Sequence, residues 1–181
     1  MPLSEIQLRT ATIILALPEA AGFALAGGAA LVIHEIVDRG TKDLDCFGPS
    51  TGAVNQLDDL GFDPASYEPV AFAIGPVRHL SDLAGDKLLA LYSRAAARDY
   101  IAVAALLRRF SKSELCAIAA SKDQGFNIDV LADAFGVLPM YDRDDEYPTL
   151  NDDDYHALTA VFAACSERFA SDSQPVGRHR P

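Results

Sequence analysis

FALAGGAALVIHEIVDRGTKDLDCF, residues 23–47, decides the reading of this chain. Its first four residues, Phe23 to Ala26, read as a short apolar strand. The glycine pair Gly27–Gly28 then opens a helix expected from Ala29 to about Arg39, and a second strand is expected from Lys42 to Phe47. Side chains alternate faces along a strand, so Asp43 and Asp45 are expected side by side on one face of a sheet. Neighbouring carboxylates repel and raise each other's pKa unless a cation lies between them. Oxygen-only ligands favour magnesium or manganese for that cation. Glycines at a helix N-terminus let backbone N–H groups approach an anion closely. A phosphate cradle beside a carboxylate pair points to nucleotide chemistry.

Working outward, Ser4-Glu5-Ile6-Gln7 has the form of a capping box, so a helix is expected from there to about Leu17, where Pro18 stops it. Ile6, Ile13, Ile14 and Leu17 are its expected sheet-facing residues. Thr51 to Leu60 reads as a further helix closed by Gly61. The segment PVAFAIGPV, Pro69 to Val77, supplies at most one short strand. Its prolines cannot donate to a ladder and favour an edge or a loop.

Beyond it the chain reads as helical. Helices are expected from Ser81 through Arg94, from Ala97 to Phe110, from Ser111 to Lys122, from Asn127 to Phe135 and from Asp152 to Phe169. The tail after Ala170 is expected to be disordered. The fold class is therefore α/β (α+β): a core over 1–80 with a small mixed sheet, then a helical bundle over 81–170.

At 181 residues, half of them apolar, the chain can bury a substantial core. A formal net charge of -11 excludes a general nucleic-acid coat protein, which needs a basic face. The charge is uneven. Arg78, Lys87, Arg94, Arg98, Arg108, Arg109 and Lys112 face only Asp82, Asp86 and Asp99 between Arg78 and Lys112, whereas acids crowd Asp142 to Asp154. Cys46, Cys116 and Cys165 have neither zinc nor disulfide spacing, which suits a reducing cytoplasm. Arg9 with TATIILAL superficially resembles a secretory leader, but Glu5 precedes it and Pro18-Glu19 interrupts the apolar run. No membrane association is expected.

The pattern GG-A-A-L followed by R-G-T-K-D-L-D resembles the signature of the nucleotidyltransferase superfamily that includes DNA polymerase beta. More narrowly it is similar to the AbiEii/MenT-like toxin nucleotidyltransferases of bacterial toxin–antitoxin systems. A second block, DLAGDKLLALYSRAAARDY, matches the family's lysine-bearing helix and following R-D pair, placing Lys87 and Asp99. The stretch KDQGF, Lys122 to Phe126, resembles what close relatives carry between later helices.

The resemblance implies nucleotidyl transfer from a nucleoside triphosphate to an RNA 3′ end, with tRNA as acceptor and an antitoxin protein as partner. It makes Asp43 and Asp45 the magnesium (or manganese) ligands. Gly27, Gly28, Arg39, Thr41 and Lys87 become nucleotide-binding residues, with Lys87 and Asp99 joining the aspartates as catalytic groups. The chain departs from the family in three places. No acid lies between Pro69 and Val77 to supply a third metal ligand. The interval from Asp45 to Lys87 is short, as for a reduced sheet. Ala102 stands where relatives of the R-D-x-x-D type carry a second aspartate. The alternatives are a catalytically impaired fold that binds nucleotide or a partner, and transfer to a protein or small molecule, which the net acidity suits.

Overall fold

The computed structural model describes residues 3–48, 66–147 and 150–172, without the side chains of 166–172. The helix expected over Thr51 to Leu60 and most of the expected disordered tail lie outside the described residues. The chain divides into two compact units, Met1–Asp86 and Lys87–Pro181.

The first unit begins with α1, Glu5–Leu15. Its capping box forms as the sequence implies: the Gln7 N–H donates to Ser4 Oγ at 3.2 Å, and the Ser4 N–H donates to Gln7 Oε1 at 2.9 Å. The face it buries differs from expectation. Ile6, Ile13, Ile14 and Leu17 are all exposed, Ile6 to 78 %. The helix packs on the sheet through Ala11 and the half-buried Leu8 and Leu15, with Leu15 lying against Gly75. At about 100° per residue, Ile6 and Ile13 lie opposite that stripe, and Leu17 falls beyond the helix end. The small side chain of Ala11 allows the close approach, so side-chain bulk was the wrong guide.

Four short strands follow: β1, Ala24–Ala26; β2, Asp45–Phe47; β3, Val70–Phe72; and β4, Gly75–Val77. They form one mixed sheet in the order β2-β1-β4-β3. β2 runs antiparallel to β1, with Ala26 opposite Asp45, and β4 runs parallel to β1, with Leu25 opposite Val77. PVAFAIGPV thus makes a hairpin of two strands, not one, and the strand carrying Pro76 is internal. The Arg78 N–H donates to the Leu25 carbonyl at 2.8 Å. Two residues earlier the missing Pro76 donor faces the same way, just outside the parallel pairing, so no ladder bond is lost.

Between β1 and β2, α2 spans Gly27–Ile33, six residues short of the expected Arg39 end. Glu35 adopts φ 57° and closes it. The Ile36 N–H reaches back to the Leu31 carbonyl at 2.9 Å and the Glu35 N–H to Val32 at 3.0 Å. That is a Schellman closure with glutamate in the left-handed position, sealed by buried Ile36 and Leu31.

α3, Leu80–Arg94, crosses the boundary between the units. On its first-unit part, Asp82 is fully buried and accepts the Ser66 and Tyr67 N–H groups at 3.0 and 3.1 Å. Buried Arg78 pairs with Asp86 at 3.0 Å and stands over the Phe47 ring at 5.3 Å.

The second unit is helical: α4 (Ala97–Leu106), α5 (Lys112–Lys122), α6 (Ile128–Gly136), α7 (Arg143–Glu146) and α8 (Asp152–Asp172). Its core is aromatic. Phe162 on α8 takes Tyr100 and Phe135 edge-on, each at 5.1 Å between ring centres. Tyrosine hydroxyls drawn wholly or partly out of water need acceptors, and backbone carbonyls supply them. Tyr100 donates to Ala134 at 2.5 Å, Tyr141 to Ala95 at 2.6 Å and Tyr147 to Ala97 at 3.1 Å. Burial pushes the Tyr100 and Tyr147 phenols well up, so both stay neutral and structural. Tyr92 closes on KDQGF: its hydroxyl donates to the Gly125 carbonyl at 3.2 Å and its ring meets Phe126.

Candidate functional site

The glycine pair and the segment before β2 meet in the first unit. Gly27 has φ 62°, a conformation that a side chain disfavours. A Cβ there would lie 1.9 Å from Asp45 Oδ2, so the Asp45 carboxylate occupies the space that glycine leaves open. At Gly28 a Cβ would lie 3.1 Å from Thr41 Oγ1. Gly27, Gly28, Thr41 and Asp45 are therefore one constellation, made by pairing β2 against β1 and continuing β1 directly into α2.

Thr41 is held from two sides. Its carbonyl accepts Gln7 Nε2 at 2.7 Å, and its hydroxyl donates to the Asp43 carbonyl at 3.3 Å. That second bond spans residues 41–43, which lie outside the strand: β2 starts at Asp45, not Lys42. Asp43 consequently precedes the ladder, and strand alternation does not place it beside Asp45. Both aspartates are exposed. Arg39, half-buried, lies in the connection between α2 and β2. On the strand, Cys46 faces away from Asp45; burial and then the Asp45 charge push its thiol up, against a nucleophilic role.

Carboxylate oxygens such as those of Asp43 and Asp45 are of the type that suits a hard divalent ion. Among the described residues, no group of three or more histidines, cysteines, aspartates and glutamates could hold a metal.

Lys87 and Asp99 belong to the second unit. Lys87 is half-buried on α3. Asp99, in the first turn of α4, is 1 % exposed, and Arg94 grips its carboxylate twice: Nε to Oδ2 at 2.8 Å and Nη2 to Oδ1 at 3.1 Å. That hydrogen bonding holds the Arg94 guanidinium above its ordinary pKa. The aspartate singled out in the sequence is therefore committed to an arginine not singled out with it. An arginine five residues before an acid, across a helix–helix turn, was the available signal. Of the seven cations between Arg78 and Lys112, Arg78 and Arg94 are both drawn into ion pairs, which thins the expected basic stretch.

No helix among the described residues is long and apolar enough to cross a membrane. No protein-family model, curated protein or solved structure matches the chain.

Proposed function

We propose that the protein is a magnesium-dependent nucleotidyltransferase that moves a nucleoside monophosphate from a triphosphate to an RNA 3′ end, with tRNA as the acceptor. The observation that carries this reading is the Asp45 carboxylate seated over Gly27, next to Gly28 and the Thr41 hydroxyl. Backbone N–H groups at Gly27 and Gly28 and the Thr41 hydroxyl would bind triphosphate oxygens. Asp43 and Asp45 would hold magnesium or manganese, whose role is to offset phosphate charge and activate the attacking hydroxyl. Lys87 would place a positive charge on the triphosphate or the leaving group. Arg39 is assigned to phosphate by the resemblance alone. The same resemblance supports a small nucleotidyltransferase-type sheet, a toxin role in the cytoplasm and a cognate antitoxin partner.

The assay uses purified protein, total tRNA and each labelled triphosphate, with and without magnesium. Label is expected in tRNA only with magnesium, and Asp43→Ala should abolish it along with any growth inhibition. Absence of label under every condition, with Asp43→Ala leaving nucleotide binding and growth unchanged, removes the proposal. A second reading, an impaired scaffold that binds nucleotide without turnover, is favoured by one observation: Asp99 is occupied by Arg94. Calorimetric nucleotide binding without label incorporation distinguishes it.

A further inference from the structure

The Arg94–Asp99 pair is asymmetric. The carboxylate is buried to 1 % exposure while the arginine side chain is 47 % exposed. A guanidinium is planar and offers two forks of parallel N–H bonds, one along the Nε–Nη2 edge and one along the Nη1–Nη2 end. Asp99 takes the first. The second, the end-on fork, has no protein partner among the described residues. A buried acid thus fixes the plane and direction of a half-exposed cation whose phosphate-binding edge remains available.

The surrounding joint is held firmly. Ala95, between α3 and α4, takes φ 46°. Its carbonyl accepts Tyr141 Oη, and the Ala97 carbonyl accepts Tyr147 Oη. Two tyrosine hydroxyls and the Arg94–Asp99 pair therefore hold residues 94–99. Lys87 stands on the same helical line as Arg94, about 20° around the axis and about 10.5 Å along it. The bonds to Asp99 hold the side-on fork of Arg94 at its own end of the helix, about two turns from Lys87.

We propose that the end-on fork of Arg94 is a phosphate subsite, oriented by Asp99 as a positioning residue, and that it takes a phosphate distinct from the one assigned to Lys87. This deepens the nucleotidyltransferase reading, and in that setting the phosphate belongs either to the triphosphate chain or to the backbone of the acceptor RNA. Asp99 then acts through Arg94 and does not touch metal or substrate.

The test measures binding of two probes to the full chain by calorimetry: inorganic tripolyphosphate, and a single-stranded RNA oligonucleotide without a 5′ triphosphate. Arg94→Gln should weaken one of the two by about 5- to 20-fold, and the probe affected identifies the source of the phosphate. Arg94→Lys keeps the charge and loses the fork, so it should restore only a small part of that loss. Asp99→Asn should reproduce much of the loss, and the double variant should be no worse than Arg94→Gln alone. Should Asp99→Asn fail to fold, the exposed-site variants Arg94→Gln and Arg94→Lys decide the matter. If Arg94→Gln lowers the melting temperature but leaves both affinities within twofold of wild type, the pair is only a helix staple and the proposal is overturned. Turnover is not needed for this readout. Weakened binding without label incorporation retains the subsite and drops the enzyme, whereas incorporation with unchanged binding does the reverse.

Discussion

At the scale of single residues the decisive contact is between Gly27 and Asp45. Alanine at Gly27 faces two penalties: a left-handed φ that costs a side chain about 1–2 kcal/mol, and a Cβ 1.9 Å from Asp45 Oδ2 that forces the carboxylate to move. Gly27→Ala should therefore destabilise the protein by about 2–3 kcal/mol and abolish magnesium-dependent nucleotide binding. Gly28→Ala is the matched control. Its Cβ would meet only Thr41 Oγ1 at 3.1 Å, a hydroxyl able to shift by a few tenths of an ångström, so its loss of stability and binding should be smaller. Thermal melts and calorimetry with magnesium and a triphosphate check both. Equal behaviour of the two alanine variants would mean that Asp45 is not held over Gly27. The glycine pair, Thr41 and Asp45 were legible from sequence because the constellation is local to one strand–helix–strand unit. The engagement of Asp99 had only a weak signal, an arginine five residues before it, since which cation a carboxylate meets depends on the turn between two helices.

At the scale of elements, helix starts were read well and helix ends unevenly: α3 and α5 end at Arg94 and Lys122 as expected, whereas α2 ends six residues early. Ser4 and Ser111 cap α1 and α5 as their sequences imply, because a capping box is written in four consecutive residues. The end of α2 is written in Glu35, a residue that carries no glycine-like signal, so the helix was drawn to Arg39. The hairpin of β3 and β4 was hidden by Pro76, harmless only because its absent donor falls outside the parallel pairing. The α5 cap gives a pH-dependent prediction. The Ser111 hydroxyl and then the Ser111 N–H hold the Glu114 carboxyl below its ordinary pKa. A depressed folded pKa contributes stability above the unfolded value, about 4.3, and that contribution is lost as pH falls through the folded value. Ser111→Ala, by removing the N-cap, should lower stability at pH 7 by about 1 kcal/mol. Its deficit against wild type should narrow as pH falls below about 4, when Glu114 is protonated in both. Denaturant melts from pH 7 to pH 3 check this; a deficit that stays constant with pH would place the shift elsewhere.

At the scale of the whole molecule the puzzle is how a chain of net charge -11 would engage RNA at all. Long-range attraction is not expected, because the net charge is of the same sign as a polyanion and salt screens any field beyond a Debye length of about 8 Å at physiological ionic strength. On the proposed reading, affinity would come from a few local cations and from magnesium. Two of the cations in the basic stretch are neutralised in ion pairs, though Arg94 keeps one edge open. Each phosphate contact to a single strand contributes about -0.7 to the slope of log K against log salt. A shallow slope of about -1 to -2 is therefore expected for the RNA oligonucleotide, against about -5 or steeper for a protein with a broad basic face. If the Arg94 phosphate lies in the RNA, Arg94→Gln should flatten that slope by about 0.7. Titrations at four or five salt concentrations, with magnesium held constant, measure both quantities. A slope of about -5 or steeper in the wild type would mean about seven phosphate contacts, as many as the whole basic stretch has cations, and the local-cation account would fall.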